Sequence, residues 1–194
     1  MGPRLFMLDD WQRRILGRQL GRRRFFRRRR RVLGRRRQFR RRRRRRKLVI
    51  MHAKDFLKQL RHDDIVSAIR EAEQRTSGEI RVFISHKPIE DPVASAQAAF
   101  LHLGMEKTRD RNAVLIFVAP RTHKFAVIGD AGVHAKCGDG FWQELAKAMS
   151  DHFRKSEFTH GIVLGVKKAG ELLAQHFPHR RDDRNELPDE IAHD

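Results

Sequence analysis

An α/β fold, a three-layer α/β/α sandwich around a small mixed sheet with helices on both faces, is what the sequence predicts for residues 51–177. Three observations predict it. Segments with helical spacing of apolar residues alternate with short apolar runs of strand length. One of those runs, Val114 to Val118, is unbroken, as suits a strand covered on both faces. The last two runs are separated only by Pro120-Arg121-Thr122-His123, so they pair antiparallel; the first two are joined through a helical segment, so they pair parallel with a right-handed crossover.

Each element has its own signal. Asp63 or Asp64 can cap a helix running to about Arg75, with Ile65, Ala68, Ile69 and Ala72 on one face. Thr76-Ser77-Gly78 stops it, and Ile80, Val82 and Ile84 then alternate with Arg81, Phe83 and Ser85 as a strand. Asp91 and Pro92 mark the start of an alanine-rich helix that Gly104 ends. Val114–Val118 and Phe125–Ile128 form the second and third strands, the latter closed by Gly129-Asp130. A helix from about Gly140 to Phe153 buries Phe141, Leu145, Ala148 and Met149. Another, from about Thr159 to His176, buries Ile162, Val166, Ala169 and Leu173. From Pro178 to Asp194 the chain is charged and reads as a flexible tail.

The charge is unevenly placed. The net +20 suggests a nucleic-acid binder until it is located. Residues 1–50 hold 22 Arg and one Lys against two Asp, a charge of +21, which leaves −1 for the remainder. The excess therefore belongs to the N-terminal segment and not to the globular part. At that density like charges repel, and Phe25, Phe26, Val32, Leu33 and Phe39 offer too little apolar surface to offset chain entropy. Residues 1–50 are thus expected to be a disordered arginine-rich extension. It reads as a basic arm for nucleic acid or anionic lipid, as a targeting segment, or as translated sequence upstream of a start at Met51. The near absence of lysine favours the third. No apolar run is long enough for a membrane-spanning helix, and the N-terminus lacks the apolar region of a secretory signal. With one cysteine, Cys137, no intrachain disulfide can form. Together these features give a cytoplasmic expectation.

Four stretches, in order, carry a family likeness: Gly78-Glu79-Ile80-Arg81-Val82, then Thr108-Arg109-Asp110-Arg111-Asn112-Ala113-Val114, then Gly129-Asp130-Ala131-Gly132-Val133, then Phe158 through Gly161-Ile162. Over about residues 60–175 the chain resembles the TPM domain family, which includes thylakoid proteins of photosystem repair and many bacterial relatives. The resemblance implies an α/β/α sandwich, acid phosphatase activity as in some plant members, and binding of calcium or another divalent cation as in others. Many bacterial relatives carry a signal peptide and a membrane segment that are not evident here. The position of Ala113 is usually glycine in the family.

The residues themselves suggest where chemistry would sit. If the turn is centred on Arg121-Thr122, pairing places Ala113 opposite Asp130. Asp110, Asp130 and Glu79 then share one end of the sheet, and Asp139 can reach it. Four carboxylates there repel unless protonated, solvated or bound to a cation, and hard oxygen ligands suit Ca²⁺ or Mg²⁺. Against this, Asp139 serves equally as a helix cap, Asp110 as a partner of Arg109 or Arg111, and Glu79 as a partner of Arg81. The spacing of an EF-hand is absent. Parallel strands more often bind ligands at their carboxyl ends, here near Ser85-His86 and Ala119-Pro120, the opposite edge. His134 and Cys137 lack the second pair that a zinc site needs. No nucleophile elbow, phosphate-binding loop or cysteine phosphatase loop is present, so the sequence names no catalytic residue. The reading that results is an accessory or interaction domain with a cation at this edge, acting near a membrane through a protein partner. Its rivals are a weak acid phosphatase on the same edge and polyanion binding by the arginine-rich arm.

Overall fold

The computed structural model describes residues 5–7, 53–180 and 186–194. Its elements are β1 (Leu5–Met7), α1 (Ala53–Gln59), α2 (His62–Glu73), β2 (Ile80–Ile84), α3 (Pro92–His102), a 3₁₀ turn (Met105–Lys107), β3 (Val114–Ala119), β4 (Lys124–Gly129), α4 (Ala131–Phe153), α5 (Phe158–His176) and β5 (Ala192–His193). The sheet order is β1-β4-β3-β2-β5. As the connections predict, β2 and β3 are parallel and β3 and β4 antiparallel.

Two apolar layers explain the strand patterns. Ile80, Val82 and Ile84 of β2, with Val114, Ile116 and Val118 of β3, face one side and pack with residues of α1, α2, α4 and α5. Phe83, Leu115 and Phe117 face the other side and pack with Ala96, Ala99 and Phe100 of α3. The unbroken run of β3 is thus covered on both faces, and all six of its residues are buried. The result is the α/β/α sandwich that the element order predicts.

Local chemistry sets the boundaries. Asp91 caps α3 by accepting the Val93 and Ala94 N–H groups, with Pro92 at the first turn. Asp63 and Asp64 do not cap α2. They lie in its first turn, where their charge complements the helix dipole, and Arg61 is the N-cap. The helix expected from Gly140 begins earlier, at Ala131, because Asp130 caps it; a break at Gly138 (φ 63°, ψ −178°) joins its two parts.

The chain ends also differ from expectation. Within the N-terminal extension, Leu5–Met7 pairs antiparallel with β4, so three of its residues join the sheet. The arginine-rich stretch Arg22–Lys47 and the proposed start at Met51 lie outside the described residues. The segment after Pro178, expected to be loose, is tied down where it is described. Thr76 and Pro178 form a β-bridge, and Ala192–His193 adds to β2 as a parallel edge strand. Among the described residues no helix is long and apolar enough to cross a membrane.

Candidate functional site

The amino end of β2 and the facing ends of β3 and β4 form one corner of the sheet. Asp130 N–H donates to Ala113 O at 2.8 Å, and Val114 N–H donates to Glu79 O at 2.8 Å. Glu79, Ala113 and Asp130 therefore stand in one row across three strands. The predicted hairpin register pairs Ala113 with Asp130 and the predicted parallel pairing brings Glu79 to the same end, with Asp110 in the loop that enters β3.

Three local devices hold this loop. Asn112 is buried and donates its side-chain amide to Ser77 O at 2.9 Å, tying it to the turn before β2. Arg111 adopts φ 53°, a left-handed conformation uncommon outside glycine and asparagine. Gly132, in the first turn of α4, donates its N–H to Arg111 O at 3.0 Å. A Cβ there would lie 2.6 Å from Asp110 O and 2.7 Å from Arg111 O, so only glycine allows this approach.

Asp130, Asp110 and Glu79 are brought to one end, and each of these three is engaged. Asp130 is fully buried. Its Oδ2 and Oδ1 accept from Arg111 Nε and Nη2 at 2.7 and 2.8 Å, a two-bond fork, and Oδ1 also accepts the Ala131 N–H at 2.7 Å. The Asp130 carboxylate, through its hydrogen bonds and its charge, holds the Arg111 guanidinium above its usual pKa. Asp110 pairs with Arg180 at 3.1 Å, not with either neighbouring arginine. Glu79 Oε1 accepts the Glu186 N–H at 2.9 Å, and the Glu186 carboxylate takes the Arg109 N–H at 3.3 Å. Asp139 lies in α4 just past the Gly138 break, and its side chain is outside what the structure describes.

Sequence reasoning missed the partners of these acids. Arg111, Arg180 and Glu186 belong to the site because of loop conformation and chain return, neither of which leaves a periodic signal. It also missed Glu73, whose Oε1 accepts the Ile80 N–H at 3.0 Å. Burial pushes that carboxyl up to about 8, offset in part by the Ile80 hydrogen bond, with Glu79 and Asp189 adding to the rise. Among the described residues no three His, Cys, Asp or Glu side chains are arranged to hold a metal ion. His134 and Cys137 both lie in the first part of α4, where Cys137 packs against the larger apolar cluster.

The TPM domain family model matches residues 50–172, which contain the whole of this corner except Arg180 and Glu186. The chain belongs to the TPM domain family. A solved relative is the BA42 protein of the psychrophilic bacterium Bizionia argentinensis, determined by NMR. It is 39% identical to this chain with a TM-score of 0.64, and the match covers 69% of this chain and 92% of that one. No curated protein matches. The motif residues of this TPM domain have visible structural tasks. Gly78 leaves room for Leu173 and Asn112 O, Gly129 for the Trp142 ring, and Gly132 for the Asp110–Arg111 backbone.

Proposed function

We propose that this TPM domain is an accessory module that takes a divalent cation, Ca²⁺ or Mg²⁺, at the acidic corner of its sheet. The observation that carries the reading is the single row of Glu79, Ala113 and Asp130 across three strands, with Asp110 at its mouth. Asp130 is committed to Arg111, so the carboxylate in play is Asp110. Its partner Arg180 is half-exposed and reaches it from beyond α5. Exposed pairs of this kind are weak. Arg180 supplies the counter-charge in the absence of cation, and the cation takes its place beside Asp110, Glu79 and backbone carbonyls as hard oxygen ligands. The weak acid phosphatase reading uses the same corner and the same Asp110 carboxylate.

Thermal unfolding of the full chain with and without Ca²⁺ and Mg²⁺ tests the proposal, because a ligand of the native state raises the midpoint. Asp110→Asn and Glu79→Gln abolish the rise. An unchanged midpoint with both ions leaves an accessory module without a cation. Hydrolysis of a generic phosphomonoester at acid pH, lost in Asp110→Asn, would move the reading to an enzyme.

A further inference from the structure

The described part of the segment after Pro178 runs along the whole open edge of β2. At the acidic corner, Glu186 bonds Glu79 and Arg109. Midway, Asp189 meets Arg70 Nε at 3.0 Å, and Asp189 and Glu190 both lie in the field of Arg81. Ala192 and His193 then pair with Phe83 and Ile84 as a parallel strand. At the carboxyl end of β2, the Asp194 side chain accepts three donors: His86 N–H at 2.6 Å, Ser85 Oγ at 3.1 Å and Lys87 Nζ at 3.3 Å.

We propose that the β2 edge is an acceptor groove for an extended acidic peptide of a partner protein, and that residues 186–194 are its resident occupant, displaced when the partner binds. The inference rests on reading the domain as an accessory interaction module, and not on the cation.

The groove has the chemistry of strand-addition recognition. Backbone pairing supplies the general term, and pockets for alternate side chains supply the choice of sequence. Arg70, Arg81 and Lys87 space three cations along the edge. The resident segment answers with Asp189, Glu190 and Asp194, while Ile191 and Ala192 pack against the two opposite apolar layers. The backbone pairing of the segment is short, and side chains do most of the holding. Its strand pairs with two of the five residues of β2, and Asp189 and Asp194, 15% and 20% exposed, pair with an Arg70 and a Lys87 whose side chains are 63% and 71% exposed. The exposed cations can exchange one carboxylate for another with little loss of solvation. The segment also leaves space unfilled. Beside Asp194, between α3 and the strands, is a crevice of about 370 Å³ floored by Phe83 and Phe117 and rimmed by Lys87, Ser95 and His102. It lies at the carboxyl ends of the parallel pair, where such sheets most often receive ligands, and its volume suits side chains of a bound peptide.

The test uses the full chain and a fluorescent peptide with the sequence of residues 186–194, in buffer with chelator so that failure of the cation reading leaves it untouched. Weakening the resident contact raises the open fraction, and apparent affinity follows that fraction. Asp194→Asn is expected to bind the peptide roughly tenfold more tightly than the unaltered chain. Lys87→Glu in that background abolishes binding, and hydrogen exchange at the His86 amide, accelerated by Asp194→Asn, slows again on adding peptide. Equal affinity of both chains, or no binding to either whatever the His86 amide does, overturns the proposal. A dimer with exchanged tails, seen by analytical ultracentrifugation of Asp194→Asn, also overturns it and assigns the groove to a second copy.

Discussion

Arg111 places two guanidinium nitrogens on the two carboxylate oxygens of Asp130, at 2.7 and 2.8 Å, from a left-handed backbone. The pair joins the loop before β3 to the cap of α4. Asp130 is fully buried while the Arg111 side chain is 45% exposed. The carboxylate therefore depends on a partner that water can reach.

Arg111→Ala leaves Asp130 buried without its counter-charge. The expected loss is about 2 kcal/mol, below the range for a fully buried pair because solvent enters beside the guanidinium. Arg111→Lys restores charge without the fork and recovers less than half of the loss. Urea unfolding of the three chains at neutral pH checks both.

Gly132→Ala forces a Cβ against two backbone oxygens, which no side-chain motion relieves. A loss of about 1–3 kcal/mol is expected, with the Asp110–Asn112 loop displaced. Gly138→Ala meets no atom within 4 Å, so its loss arises only from the φ of 63° and ψ of −178° at the break in α4. That backbone region is essentially confined to glycine and costs about 1–3 kcal/mol for other residues. Amide chemical shifts separate the two, since only Gly132→Ala perturbs residues 110–112.

Glu73 retains its proton in the native state up to about pH 8, whereas its ordinary pKa is 4.5. Its stabilising contribution is therefore fully present below 4.5 and is lost as pH rises through 8. Glu73→Gln keeps an acceptor for the Ile80 N–H and removes the titration. The variant and the unaltered chain should be equally stable near pH 4, and the variant more stable at pH 8 to 9, by denaturant unfolding across that range.

Arg180→Ala removes an exposed ion pair and should change stability by no more than about 0.5 kcal/mol. If Asp110 takes the cation, the same change raises the midpoint shift at a given Ca²⁺ concentration, because nothing has to be displaced. A smaller shift in this variant would oppose the cation proposal.

Most of the fold was legible because its elements advertise themselves by period. The five-residue apolar run at Val114, the turn at Pro120–His123 and the faces of α2 and α5 each required one arrangement. The Ala113–Asp130 pairing followed from the hairpin register, and Glu79 joined that end because β2 runs parallel to β3. What stayed hidden was the pairing of side chains. Asp110 had Arg109 and Arg111 beside it in sequence and took Arg180 instead, while the Arg111 guanidinium, on a left-handed backbone, is held by Asp130. The first part of α4 was missed because Gly138 interrupts its period, and Asp130 rather than Asp139 starts it. Strands of two or three residues, such as β1 and β5, are too short to show alternation at all.

Trp142 lies against Gly129, so closely that even a methyl group on that glycine would meet the indole ring at 2.4 Å. Asp130 is the next residue. The corner thus contains its own optical gauge. With Trp11 replaced by phenylalanine, the emission of Trp142 follows what happens one residue away, whether a metal ion arrives, a guanidinium leaves or the cap of α4 frays, in a chain carrying no added label.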